Sequence, residues 1–341
     1  MKNKLLILLM FAILLSGCSK KEKNEINVLN WSSYIPDSII RDFEKSTNIK
    51  VNYSTYSSNE ELLAKVSNSN EGTYDIIFPS DYMVELMKNR GMLEKIDKAK
   101  LTNINNLDSN YMNYDFDKNN QYSLPFLLAT TVIAYNKENI KNEITSYNDL
   151  LNSKYKNNIV LIDDQRIIIG AALLACGYDM NSTNPKELKE AEKWLFKLKE
   201  NIKAYDSDSP KNFLISKEVD IALIWNAEAA LAYEDNPNIE IIYPKEGVAK
   251  SLDNFAIPKG GKNRDNVYKF IDYILQPEIM KQIVESYPYK NVNKKTEAIL
   301  SYKYLLNKGA NVDSEIINKG FFVKNIGSSI KDYDKLWANI K

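Results

Sequence analysis

The chain has 341 residues, 45 Lys plus Arg against 45 Asp plus Glu, two cysteines and no histidine. Without histidine it has no Ser-His-Asp or Cys-His nucleophile and no histidine-ligated zinc. The charge balance leaves no basic excess for a nucleic-acid footprint, and the length predicts two domains rather than one.

Lys2 and Lys4 precede an unbroken apolar run, Leu5 to Leu15. That is the pattern of a secretory signal over residues 1–17, too short to span a bilayer as a helix, which takes about 20 residues. Leu15-Ser16-Gly17-Cys18 resembles the lipobox of bacterial lipoproteins, so cleavage before Cys18 and lipidation of that cysteine are expected. Residues 18–24 then read as a lipidated polar tether. With Cys18 lipidated, Cys176 has no intrachain disulfide partner, and its apolar helical setting predicts a buried structural thiol.

Short apolar strands then alternate with helical patterns. A strand at Ile26–Leu29 is followed by a helix that Pro36-Asp37 starts, with Ile39, Ile40 and Phe43 on one face. A strand follows at Lys50–Tyr53, a helix at Glu60–Val66 and a buried strand at Tyr74–Phe78. Ser80 caps a helix through Lys88 that Gly91 ends. After an extended stretch at Thr130–Tyr135 the grammar restarts. It gives a strand at Asn158–Ile162, a helix from Arg166 to Cys176 ended by Gly177, and an amphipathic helix at Pro185–Glu200. Strands at Val219–Trp225 and Ile239–Tyr243 and a second extended stretch at Asn254–Ile257 come next, then helices at Asn263–Leu275 and Pro277–Ser286. Strand-helix-strand order with short loops implies parallel pairing with helices on both faces. The fold class expected is α/β: two lobes joined by two extended crossings, a hinged clamp. Lobe 1 would comprise residues 25–130 plus 254–295, and lobe 2 residues 131–253 plus 296–341.

In open α/β sheets the ligand lies past the carboxyl ends of the strands. Those ends deliver Asn30-Trp31-Ser32-Ser33-Tyr34, Pro79-Ser80-Asp81-Tyr82, Asp163-Asp164 and Trp225-Asn226-Ala227-Glu228. Asp253 stands at the second crossing, and Tyr287 and Tyr289 end a later helix. Aromatic faces hold an ammonium and its methylenes by cation–π and apolar contact, while carboxylates accept its N–H donors. This mixture favours an organic cation. With 22 tyrosines and 45 acids in the chain, core packing and solvated surface remain the competing readings for any one of these residues.

The residues also resemble a known family, the polyamine-binding proteins of bacterial ABC importers, of the spermidine/putrescine-binding type. The stretches that carry the resemblance are Asn30-Trp31-Ser32-Ser33-Tyr34, Ser54-Thr55-Tyr56, Pro79-Ser80, Asp206-Ser207-Asp208, Ile224-Trp225-Asn226, Pro244-Lys245-Glu246-Gly247 and Ala256-Ile257-Pro258. They occur in order along nearly the whole chain after the signal. The resemblance implies a two-lobed periplasmic-binding-protein-like (type II) clamp. It also implies a channel walled by Trp31, Tyr34, Tyr82, Trp225 and Tyr289, with hydrogen bonds from Ser32 and Ser80. Asp253 would hold an inner amine and Asp164 a terminal one. Glu228 stands where putrescine-preferring members place an aspartate. The chain departs from the family pattern at Ser33, Ile167, Ser251 and Val323, which puts ligand length and affinity in question.

The expected function is capture of putrescine or spermidine outside the cytoplasmic membrane and delivery to ABC permease subunits. The protein would act as a monomer, without catalytic residues, metal or other cofactor, held to a membrane through Cys18 and facing the periplasm or cell exterior. Two other classes stay open at this point: a surface lipoprotein contacting host or partner proteins, and an exported hydrolase using an acid pair such as Asp164 and Glu228.

Overall fold

The computed structural model describes residues 24–341. The signal segment 1–17, Cys18 and all of the tether except its last residue lie outside the described residues. Apolar strands that cannot face water on either side build one continuous curled sheet in two halves. In the first half β1 (Glu25–Trp31) pairs in parallel with β2 (Lys50–Tyr56) and with β3 (Ile76–Ile77). β4 (Ser123–Asn136) is 14 residues long and buried throughout. In the second half β5 (Ile159–Leu161) pairs in parallel with β6 (Ile202–Tyr205) and with β7 (Ile221–Trp225). β8 (Ile239–Ile242) lies antiparallel on β4.

The lobes are joined where β4 changes partners. Its first part, Ser123–Thr130, runs antiparallel to β9 (Ala249–Ala256), and its second part, Thr131–Tyr135, runs antiparallel to β7. The extended stretches expected at Thr130–Tyr135 and Asn254–Ile257 are therefore parts of two longer strands. β9 pairs with β4 in the first half of the sheet from Lys250 onward, which sets Asp253 among first-lobe strands. Residues 296–341, expected in lobe 2, are spread over both cores. Leu300, Tyr304, Ala310, Val312 and Ile317 join a core that holds Ile26, Phe43 and Phe270 but also Ala227 and Ala230 of the helix Asn226–Asp235, and Asn307 Nδ2 donates to Ala230 O. Val323, Tyr333, Leu336 and Ile340 join the second-lobe core. The change of core makes a third passage, where Phe321 pairs with Ala249. No apolar run marks this passage in the sequence.

Each half-sheet is covered on both faces. In the first lobe one face packs on Ile39, Phe43, Val267 and Ile271, and the other on Leu62, Met83 and Val84. In the second lobe the helices Gln165–Ala175 and Pro185–Lys199 cover one face, and the helix Asn226–Asp235 with Leu214 the other. Burying a side chain such as Phe43 or Leu195 contributes about 1.5–3 kcal/mol, so these cores hold the lobes and leave the cleft between them free of a packing role. Gly177, at φ +83°, ends its helix in the left-handed conformation that glycine adopts most readily. Cys176 caps that helix half-buried, more accessible than expected, and its surroundings push the thiol pKa up.

Candidate functional site

The strand ends converge on one cleft of about 320 Å³ between the lobes. All ten residues singled out in the sequence line it: Trp31, Ser32, Tyr34, Ser80, Tyr82, Asp164, Trp225, Glu228, Asp253 and Tyr289. So do the four departures, Ser33, Ile167, Ser251 and Val323. The lining also includes residues that the sequence does not single out as site residues: Tyr56 and Asp208, which stand in the stretches that carry the resemblance, and Glu60, Arg166 and Trp337.

Asp253 sits at the buried centre, 2% exposed. β9 carries it past the end of β3, where the hydroxyls of Tyr34 (2.8 Å to Oδ2) and Ser80 (2.7 Å to Oδ1) donate to its carboxylate. Burial raises its pKa to about 6, against the lowering effect of the Ser80 and Tyr34 hydrogen bonds. Its partners are neutral, so its charge is uncompensated. Ser80 occupies the N-cap position of the helix Asp81–Asn89, but its hydroxyl does not cap that helix. It is turned to Asp253 and is itself held by Asn59 Nδ2 at 3.1 Å. Beneath the site Asp81 accepts from the backbone N–H groups of Leu252 (2.9 Å) and Tyr82 (2.7 Å), and burial pushes its pKa up to about 7.

The aromatic wall is braced from below. Phe78 O accepts from both the Trp31 indole (3.0 Å) and the Tyr56 hydroxyl (2.5 Å), and Phe78, Phe126 and Phe255 pack with ring centroids 4.9–5.1 Å apart. The rings of Trp31 and Tyr56 lie 4.5 Å apart and those of Tyr34 and Tyr289 4.8 Å apart, all between centroids. Trp31 and Tyr34 thus present faces fixed by hydrogen bonds and packing, which lowers the entropy lost when a ligand lies against them.

The second-lobe wall is charged in a different way. Asp164 caps the helix Gln165–Ala175: its Oδ1 accepts from the N–H groups of Arg166 (2.8 Å) and Ile167 (3.1 Å), and burial raises its pKa. Asp163 pairs with Lys341. Glu228, in the first turn of the helix Asn226–Asp235, is bridged through both oxygens by Lys211 Nζ at 2.9 Å. Glu228, a ligand-binding position by resemblance, lines the cleft and already has a cation from the protein itself. Ile167 is 3% exposed and packs in the second-lobe core as well as lining the cleft. Among the described residues no group of three or more Cys, Asp or Glu side chains is placed to hold a metal ion. None of their helices is long and apolar enough to cross a membrane.

A two-lobed α/β clamp with an acidic, aromatic-walled cleft at the strand ends defines a solute-binding protein for small cations. The model of the bacterial extracellular solute-binding protein family matches residues 38–304, and the chain belongs to that family. It is similar to the spermidine/putrescine-binding periplasmic protein of Salmonella typhimurium, 36% identical over 97% of this chain and 95% of the other. Among solved structures, one from Listeria monocytogenes has a TM-score of 0.88 at 34% identity, covering 93% of this chain and 98% of that one. The spermidine/putrescine ABC transporter substrate-binding protein PotD of Streptococcus pneumoniae has a TM-score of 0.82 at 31% identity, with the same two coverages.

Proposed function

We propose that the protein captures a linear polyamine of the putrescine and spermidine class in this cleft and delivers it to the permease of an ABC importer. The observation that carries the reading is Asp253, a buried carboxylate held by two neutral hydroxyls, so that its charge is left for a cation. Trp31, Tyr34, Tyr82, Trp225 and Tyr289 wall the ligand's methylenes and ammonium groups, Ser32 lies at the exposed rim, and Asp164 takes a terminal amine. The names of the Salmonella and Streptococcus relatives support the same ligand class.

Binding closes the lobes about β4, β9 and the third passage near Phe321. We place the boundaries of lobe 1 near residues 130 and 250, with the stretch up to about 320 returning to it. Closure excludes water, which strengthens each ion pair, and a micromolar Kd corresponds to about −8 kcal/mol. The protein acts as a monomer outside the cytoplasmic membrane, tethered through lipid on Cys18, and does no chemistry on its ligand. A thermal-shift screen with di-, tri- and tetra-amines tests the reading. A concentration-dependent rise in Tm with putrescine or spermidine is expected, and no shift with any amine at millimolar concentration would overturn it.

A further inference from the structure

Lys211 is the first residue of the short helix Lys211–Ile215, which follows Pro210. It is not among the cleft-lining residues, but its side chain reaches Glu228, which is. The ammonium lies 2.9 Å from each carboxylate oxygen, with the two side chains 23% and 14% exposed. An exposed Lys–Glu pair flickers and contributes little. A shielded pair in which the ammonium bridges both oxygens keeps its geometry. Trp225, one turn before Glu228, lines the same end of the cleft. The Lys211 ammonium thus already meets the carboxylate that a free amine in this part of the cleft would meet.

Asp253, Asp164 and Glu228 reach the cleft from three elements: β9, the N-cap of the helix Gln165–Ala175 and the first turn of the helix Asn226–Asp235. Asp253 is bonded to hydroxyls and Asp164 to backbone N–H groups, with the Arg166 guanidinium among the charges near Asp164. Of the three, Glu228 is the one whose oxygens are bridged by an ammonium. We infer that Lys211 is a specificity-determining residue: its tethered ammonium fills the cation subsite that Glu228 would otherwise offer. The cleft then matches amines at Asp253 and Asp164 and does not reward a third one beside Trp225. This inference rests on the polyamine reading above.

Calorimetric titration of putrescine and spermidine into the wild type and three variants tests it. Lys211→Met returns a net negative charge to the Trp225 end. It should strengthen the triamine at least tenfold and the diamine less than threefold, because two ammonium groups are already served. Glu228→Gln leaves the lysine unpaired beside the cleft and should weaken both amines at least threefold. The double variant removes both charges and should return both affinities to within threefold of wild type. A purely structural ion pair would lower Tm in Lys211→Met and leave the ratio of the two affinities unchanged. That result, or an equal gain for both amines, overturns the subsite. If neither amine binds the wild type, the polyamine reading itself falls, which is a separate outcome.

Discussion

The two walls of the cleft both carry carboxylates, yet the carboxylates are in different electrical states. On the first lobe Asp253 is buried, bonded to the hydroxyls of Tyr34 and Ser80, and has no cation. On the second lobe Glu228 is neutralised by Lys211, Asp163 pairs with Lys341, and Asp164 caps a helix. A hydroxyl stabilises a carboxylate and leaves its charge in place, whereas an ammonium cancels that charge. Counting acids in a pocket therefore overstates what it offers a cation, and the identity of each acid's partner decides. By this measure the buried carboxylate with only neutral hydrogen-bond partners stands on the first lobe, and the second lobe presents a bridged acid and a helix-capping one.

The largest effect should come from removing the uncompensated charge. Asp253→Asn keeps the shape and both neighbouring hydroxyls while deleting the negative charge. Breaking one partner of a buried charge pair costs about 2–5 kcal/mol, so polyamine affinity should drop at least thirtyfold by calorimetry. A change below threefold in a folded variant would show that the ligand's charge is met elsewhere, and the contrast between the walls would fail.

Acidity tests the same carboxylate without mutation. Burial penalises the charged form of Asp253 and raises its pKa to about 6 in the folded chain. An acid whose pKa is raised on folding takes up protons as the chain folds. Its stabilising share is present below the unfolded value near 4 and is lost as pH rises through 6. At neutral pH the ionised group costs the empty fold roughly 3 kcal/mol, which a bound ammonium offsets. Affinity should therefore be flat above pH 7 and fall about tenfold between pH 7 and 5, as one proton comes to compete with the ligand. The ligand-induced rise in Tm should shrink over the same window. Tyr34→Phe, which removes a hydrogen bond to the charged form, should move the midpoint upward. An affinity independent of pH from 7 to 5 would mean that Asp253 stays ionised and is less desolvated than its burial implies.

Much of the first wall was legible in the sequence. The rule that ligands lie past strand ends leads directly to Trp31, Tyr34 and Ser80, because strand periodicity fixes which residues follow each strand, while Asp253 stands out at the second crossing, inside β9. The second wall was harder to read. Asp164 stands immediately before a helix, and its capping role could have been taken from that position alone. Lys211 could not, since it lies 17 residues from Glu228 in a separate short helix, and only tertiary packing brings the two together. The same limit applies to the passage from residue 296 to 322. Its apolar residues serve one core and then the other, and no periodicity says where the change occurs. Ile167, one of the departures from the family pattern, lines the cleft and also fills the second-lobe core, so an acid at that position would trade packing for charge.

The smallest effect separates the two tasks of Asp164. Asparagine is as good an N-cap as aspartate, and its side-chain oxygen can accept the same N–H bonds from Arg166 and Ile167. Asp164→Asn should leave Tm within a degree or two. Affinity for the polyamine should fall only about three- to tenfold, since one hydrogen bond loses its charge and keeps its acceptor, about 0.6–1.4 kcal/mol. Asp164→Ala removes the cap as well, and should cost about 1 kcal/mol of stability on top of the same loss in affinity. If alanine and asparagine weaken binding equally while only alanine lowers stability, the cap and the charge are independent. If asparagine binds as well as aspartate, Asp164 serves the helix alone. Recognition of charge would then lie wholly on the first lobe.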